Sequence, residues 1–182
     1  EFNYFEAGRG TSAFVVYPSV FLNVSSNSTV KNNTMRNGNP AYLIAGAKLL
    51  YTDSSRVEGN VFSNLKSTAI RAENSRNNIF NYNTIASTAG AYLIYSPNSE
   101  IRFNSITGST YRAIYLNFYS DSSRIESNAI TGGIYDAIKI ALSNRTVVKL
   151  NLISSPAESG IADSGSSHSV YDSNVVTGAG WW

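Results

Sequence analysis

Tyr111, Tyr135, Glu158 and Trp181 recur along the chain at intervals of 24, 23 and 23 residues, and beside them stand Arg112, Tyr115, Asp136 and Lys139. Aromatic faces stack on sugar rings, while neighbouring charges bind or transform polar substituents, so this set suits a saccharide laid across several turns of chain. Asp136 and Glu158 fall one position out of step on successive turns. If those turns are stacked strands, the two carboxylates lie roughly 6 Å apart at the backbone. Paired carboxylates at comparable separations carry out glycoside hydrolysis, one as acid and one as base. Like charges so close raise each other's proton affinity, which lets one stay protonated while the other is ionised. The same residues have a second reading, in which Asp136 and Glu158 pair with Arg112 and Lys139 in a surface network and the patch binds without cleaving.

Positioning such a patch requires a repeating scaffold, and the sequence contains one. Asn followed two positions later by an apolar residue occurs at Asn33/Met35, Asn60/Phe62, Asn83/Ile85, Asn104/Ile106, Asn128/Ile130, Asn151/Ile153 and Asn174/Val176. The intervals are 27, 23, 21, 24, 23 and 23 residues. Ten residues after each of the first six comes Leu43, Ile70, Leu93, Ile114, Ile138 or Ile161, and three before each Asn lies another apolar or aromatic position. Segments this short, alternating with period two between Ser, Gly, Asn and Thr turns, are strands. One repeat cannot bury its own apolar face, but stacked repeats spaced by about 4.8 Å share a continuous core. The expectation is an all-β parallel solenoid of about seven coils over residues 20–182, with Leu43 through Ile161 forming one interior column. Residues 1–19 fit the repeat poorly and read as a cap or the continuation of a preceding segment. The last coil reads as unfinished, which points to truncation, to oligomerisation, or to both.

Bulk composition narrows the function classes. The charged fraction is 14% and the net charge +2, too little basic surface for nucleic acid. No apolar run reaches the length of a membrane span. There is no cysteine and a single His, and no calcium loop or phosphate-cradling motif, so no metal or other cofactor is expected. Low charge with abundant Ser, Asn, Gly and Tyr points to an extracellular or virion-associated location.

Several regular features have structural readings. The seven Asn residues suit a stacked amide ladder at a bend, with Asn tolerating the left-handed conformation a sharp corner needs. Two residues before each Asn, the series Lys31, Glu58, Asn81, Arg102, Glu126, Lys149 and Asp172 places opposite charges on adjacent coils. His168 lies near Ser167, Ser169 and Asp163 but in no nucleophile-elbow context. The stretch from Leu43 to Asn60 is four residues longer than three of its counterparts, which places extra residues near Ala45 to Tyr51, either as a loop walling a groove or as a tolerated insertion.

The repeat, with its N-x-[IVMF] turn followed by an [AYG]-[LI] strand, resembles the pectate-lyase-like superfamily of right-handed parallel β-helices over residues 20–182. That resemblance implies an outer face acting on acidic or bacterial-surface polysaccharides, as in pectate lyases, polygalacturonases, mannuronan epimerases and phage tailspike depolymerases. The superfamily also holds non-enzymatic members such as periplasmic copper-maturation proteins. The Asp-Pro-His signature of the epimerases and the Gly-His-Gly of the polygalacturonases are absent, so no catalytic residue carries over by motif. The coils look most like a tailspike or a similar trimeric glycan-recognition shaft. The expected function is therefore binding, and with Asp136 and Glu158 as acid and base cleavage, of a surface polysaccharide, by a glycoside hydrolase or polysaccharide lyase mechanism. The alternative is a non-enzymatic solenoid that spaces or assembles other domains.

Overall fold

A computed structural model describes residues 3–6, 17–36 and 44–180, and every strand pairing in it is parallel. The strands fall into three sheets that run the length of a solenoid. The first holds eight strands, from Asn3–Glu6 through Thr84–Ala86 and Ala129–Gly133 to Val175–Thr177. The second holds seven, from Tyr17–Asn23 through Ala89–Ile94 and Ile138–Ala141 to Ile161–Ser164. The third, also of seven, runs from Thr29–Lys31 to Val170–Asp172. Each coil contributes one strand to each sheet, the arrangement of a parallel β-helix. Among the described residues no helix is long and apolar enough to cross a membrane.

The strands are short because each ends at a tight corner held by a residue with positive φ. Before the asparagine sheet these are Asn32, Gly59, Tyr82, Phe103, Ser127, Leu150 and Ser173, with φ between 52° and 63°. The seven repeat asparagines therefore do not occupy the left-handed position expected of them; the residue before each does. For a bulky side chain that conformation costs about 1 kcal/mol. Two contacts between coils offset it. The corner amide donates to the carbonyl of the next coil, as Tyr82 does to Arg102 at 3.2 Å and Leu150 to Asp172 at 3.1 Å, and the outward rings of Tyr82 and Phe103 stack at 5.1 Å.

The turn frees each repeat Asn to point inward. Asn60, Asn83, Asn104, Asn128 and Asn151 are at most 3% exposed, and each side-chain amide donates to the carbonyl oxygen of the next Asn at 2.9–3.1 Å. Each also bonds a main-chain carbonyl from the preceding coil, as Asn104 does Phe80 at 2.8 Å. The stacked line foreseen at the bend is present. Two further interior ladders accompany it, one running Thr52, Ser75, Ser96, Ser120 and Ser143, the other Ser55, Asn78, Ser99 and Ser123, each side-chain oxygen accepting from the main-chain N–H one coil earlier. Buried polar atoms are thus paired in files, leaving the remaining interior to Leu, Ile, Val, Phe, Met and Ala.

Register departs from the expected column at two places. Ile70, Ala91, Ile114, Ile138 and Ile161 stack, whereas Leu93 aligns with Ala72 and Leu116 in the next interior file. The cause is a coil shortened by two residues: Ile85 aligns with Phe62 and Ile106, yet only six residues separate Ile85 from Ala91 where eight separate Phe62 from Ile70 and Ile106 from Ile114. The other is the four-residue excess. Ala47 stacks on Ile70 through a regular strand, Ile44–Leu50, so nothing is inserted between Ala45 and Tyr51. The extra residues lie upstream, between Met35 and Ala47; Leu43 itself falls outside the described residues. Val20 pairs with Ala47, so the Ile70 column extends back to Val20, and Asn3–Glu6 adds a further strand to the first sheet.

On the outside of the third sheet the expected charge file aligns, and its cross-coil ion pairs centre on Glu126. Glu126, only 7% exposed, sits among Arg102 at 3.2 Å, Lys149 at 3.4 Å and Arg124 at 2.5 Å. Burial works to raise its pKa, but Arg124, Arg102 and Lys149 outweigh it and hold the carboxyl below its ordinary value. A carboxyl lowered in the folded state stabilises the fold above its unfolded pKa, and that contribution disappears as pH falls through the folded value. Glu126→Gln is therefore expected to lower Tm at about pH 7, with the difference from wild type vanishing in acid once Glu126 is protonated in the folded chain as well as the unfolded one. Thermal melts across a pH series check this; a pH-independent difference would assign the effect to packing.

Candidate functional site

The second sheet carries an outward file in which one residue per coil faces solvent: Phe21, Lys48, Arg71, Tyr92, Tyr115, Lys139 and Ala162 align in successive strands. Parallel strands in register place like positions directly above one another, so the side chains stack without further instruction. Tyr92 and Tyr115 lie 4.8 Å apart and 3° from parallel. Arg71 covers the far face of the pair, 5.4 Å from the Tyr92 ring.

Arg112 is the centre of the candidate patch. Its guanidinium lies 4.7 Å from the Tyr111 ring, 4.9 Å from Tyr115 and 5.9 Å from Tyr135, and it bonds the Tyr111 hydroxyl and Asp136, the latter at 3.3 Å. Burial opposes its charge, but the Tyr111 phenol and the Asp136 carboxylate prevail and raise its pKa above the ordinary value. The Tyr115 phenol is raised too, first by burial and then by Tyr92, against the pull of Arg112. Tyr111 and Tyr135 meet edge to face at 5.2 Å and remain 40% and 37% exposed. Three rings around one pinned cation make a rigid, amphipathic surface on the solvent side of the coil.

The other residues singled out by spacing divide. Asp136 is buried beneath this cluster with Arg112 as its ion-pair partner. Asp136 aligns with Ser159, so Glu158 sits one residue earlier, in register with Tyr135, half-buried and without an ion pair or hydrogen bond among the described residues. Lys139 lies half-buried in the outward file and pairs with neither carboxylate. Of the proposed charge network, the Arg112–Asp136 link is the one present. Trp181 lies outside the described residues. His168 faces Ser167 at 3.1 Å on an exposed corner, while Asp163 bonds Tyr171 instead.

Spacing did not single out Tyr92 and Arg71, which extend the file one and two coils earlier. The shortened coil hides Tyr92, which stands nine residues after Asn83 where Tyr115 stands eleven after Asn104; Arg71, eleven after Asn60, is in step with Tyr115 but lies outside the patch that spacing marked.

A parallel β-helix with an aromatic, cation-centred face on one sheet defines the class of protein. Residues 13–177 match the model of the family described as periplasmic copper-binding protein (NosD), and the chain belongs to that family. No curated protein matches the sequence. Among solved structures the chain is similar to the catalytic domain of a GH87 alpha-1,3-glucanase variant in complex with tetrasaccharides, at 10% identity and a TM-score of 0.34, covering 90% of this chain and 59% of that one. The chain thus spans less than two thirds of that structure, and an overlay this loose carries no functional weight.

The family's description raises the question of copper. Copper sites draw on thiolate, thioether or imidazole donors, alone or with carboxylates. The chain has no Cys, one Met and one His. Met35 is fully buried in the core, His168 is exposed far along the solenoid, and no group of three or more His, Cys, Asp or Glu converges among the described residues. This donor set does not fit a copper centre among the described residues.

Proposed function

We propose that the chain binds an extended polysaccharide across its coils, on the outer face of the second sheet and the adjoining corner, in a compartment outside the cytoplasm. The observation that carries this is the Arg112 cluster: partly exposed Tyr111 and Tyr135, with Tyr115 behind them, locked around one guanidinium by the buried Asp136. Rings so fixed lose little freedom on binding, and the stacking face continues to Tyr92. Asp136 orients Arg112 rather than facing solvent, which favours recognition as the primary role. Lys139 and Glu158 supply polar contacts on the following two coils. The family's periplasmic description supports a location outside the cytoplasm. A tailspike-like trimeric shaft remains the assembly this reading would extend to.

Tyr135 is the residue to remove, because its ring is exposed and holds no buried hydrogen bond. Tyr135→Ala is expected to weaken binding of a recognised polysaccharide about tenfold while shifting Tm by only a degree or two. Glycan-array screening followed by calorimetry reads the first effect and thermal melts the second. A large loss of stability, with no glycan bound by wild type, would instead support a structural solenoid that spaces other domains.

A further inference from the structure

We infer that the two-residue shortening of one coil creates a separate subsite for a carboxylate-bearing sugar, at the notch over Ala89. This rests on, and extends, the polysaccharide reading. Where neighbouring coils bring Lys66 and Ser67 on one side and Thr110 and Tyr111 on the other around the corner, the short coil passes directly from Thr88 to Ala89 and Gly90. The gap left between them is a cleft of about 450 Å³, within the size range of sites that hold a small ligand. The path of the main chain keeps the notch tight, because a Cβ on Gly90 would stand 1.8 Å from the carbonyl oxygen of Ala113.

The lining specifies the ligand's chemistry. Tyr92 and Tyr111 present aromatic surface, the requirement for a sugar ring. Lys66 is exposed at the rim and makes no ion pair among the described residues. Arg71 lies over Tyr92 and bonds Glu73, which stands outside the cleft, so the lining itself carries two cations, Lys66 and Arg71, and no acid. Thr68 lies at the foot of the cleft, 8% exposed, with its hydroxyl turned away from solvent. Aromatic walls with surplus positive charge match a sugar carrying a negative charge, and a planar carboxylate is the group that a guanidinium and an ammonium grip with charge-assisted hydrogen bonds. The notch lies one coil from Arg112, since Ala89 and Arg112 share a register position, so one chain of sugars can span both sites.

The test uses tetramers of glucuronate, galacturonate and mannuronate, each alongside its carboxyl-reduced neutral counterpart, with the intact chain and the variants Lys66→Ala, Arg71→Gln and Tyr135→Ala, each checked for folding by its melt. At least one uronate is expected to bind about tenfold tighter than its reduced form, with Lys66→Ala and Arg71→Gln each removing most of that preference and Lys66→Ala leaving neutral binding unchanged. Tyr135→Ala should weaken both forms alike. Neutral tetramers binding as well as the acids, or an acid preference that neither cation variant alters, overturns the subsite while leaving the stripe reading intact. Cation-dependent uronate binding that Tyr135→Ala does not affect keeps the subsite and overturns the stripe. No binding of any tetramer overturns both.

Discussion

Replacing Asn104 with Ala is expected to destabilise the solenoid by about 4 kcal/mol and to lower Tm by roughly 10 °C. The size follows from what one side chain satisfies. Its oxygen accepts from the main-chain N–H of Asn83 at 2.9 Å and from the Asn83 side-chain amide at 3.0 Å, and its own amide donates to the carbonyl of Phe80 at 2.8 Å. All of these lie where solvent does not reach, Asn104 itself being 3% exposed. Truncation leaves two donors and one acceptor buried without partners, and each such group costs about 1–3 kcal/mol. Ser cannot substitute, since one hydroxyl supplies a single donor and does not span the distance. Asn98, exposed at an outer corner with φ 56°, is the control: its change to Ala costs only the conformational preference, about 1 kcal/mol. Urea and thermal unfolding of both variants separate them. If Asn104→Ala melts within a degree or two of Asn98→Ala, the ladder does not hold the fold and the apolar files carry it alone.

The contrast between those two asparagines explains how much of the architecture could be read before any coordinates. Asn-x-apolar spacing identifies the coil because the inward Asn and the apolar residue two positions on are fixed by the same strand, whose pleat cannot slip without turning the whole set outward. The interior serine and threonine files were equally legible, since Ser, Thr or Asn stands eight and five residues before every repeat Asn from Asn33 to Asn174. They pass unnoticed because Ser in a turn reads as a solvent-facing loop residue. Register was lost where the coil length changed. Leu93 satisfies a ten-residue count and is buried, yet it belongs to the neighbouring file, because two residues are missing between Ile85 and Ala91. A count along the chain sums length differences without showing where they fall, and the same ambiguity moved the four-residue excess from its place before Ile44 to an apparent place after it. At the candidate site the shared position of Tyr111 and Tyr135 was readable, as was the adjacency of Arg112 and Asp136. Which cation would take which carboxylate was not, because Arg112 and Lys139 are both within a coil of Asp136 and side-chain packing decides between them. The rings decide it here: Arg112 stacks on three tyrosines while it reaches Asp136, and Lys139 has no such guide.

Arg112→Ala is expected to be the most damaging change at the site, costing about 3–5 kcal/mol and abolishing measurable glycan binding. Asp136 is 6% exposed and Arg112 is its ion-pair partner, so removing the guanidinium leaves a carboxylate buried without a counter-charge. The same deletion takes away the cation around which Tyr111, Tyr115 and Tyr135 are packed. Asp136→Asn keeps shape and one hydrogen-bond acceptor, and it should cost less than Arg112→Ala in stability. In the double variant Arg112→Ala with Asp136→Asn, stability should recover part of the loss while binding does not, because no charge is then left buried but the aromatic platform is still unpinned. These variants also separate the two roles open to Asp136. As the partner of Glu158 in acid and base chemistry, Asp136→Asn would remove turnover of a matched polysaccharide with affinity retained, and Glu158→Gln would do the same. As the anchor of Arg112, Asp136→Asn weakens affinity, and any turnover falls only in proportion to the substrate bound. The structure favours the second outcome: the Asp136 carboxylate is engaged by Arg112, and Glu158 stands beside Tyr135 with no group to hold its carboxylate toward Asp136. Turnover lost in both carboxylate variants at unchanged affinity would reverse that assignment and make the corner a hydrolytic site.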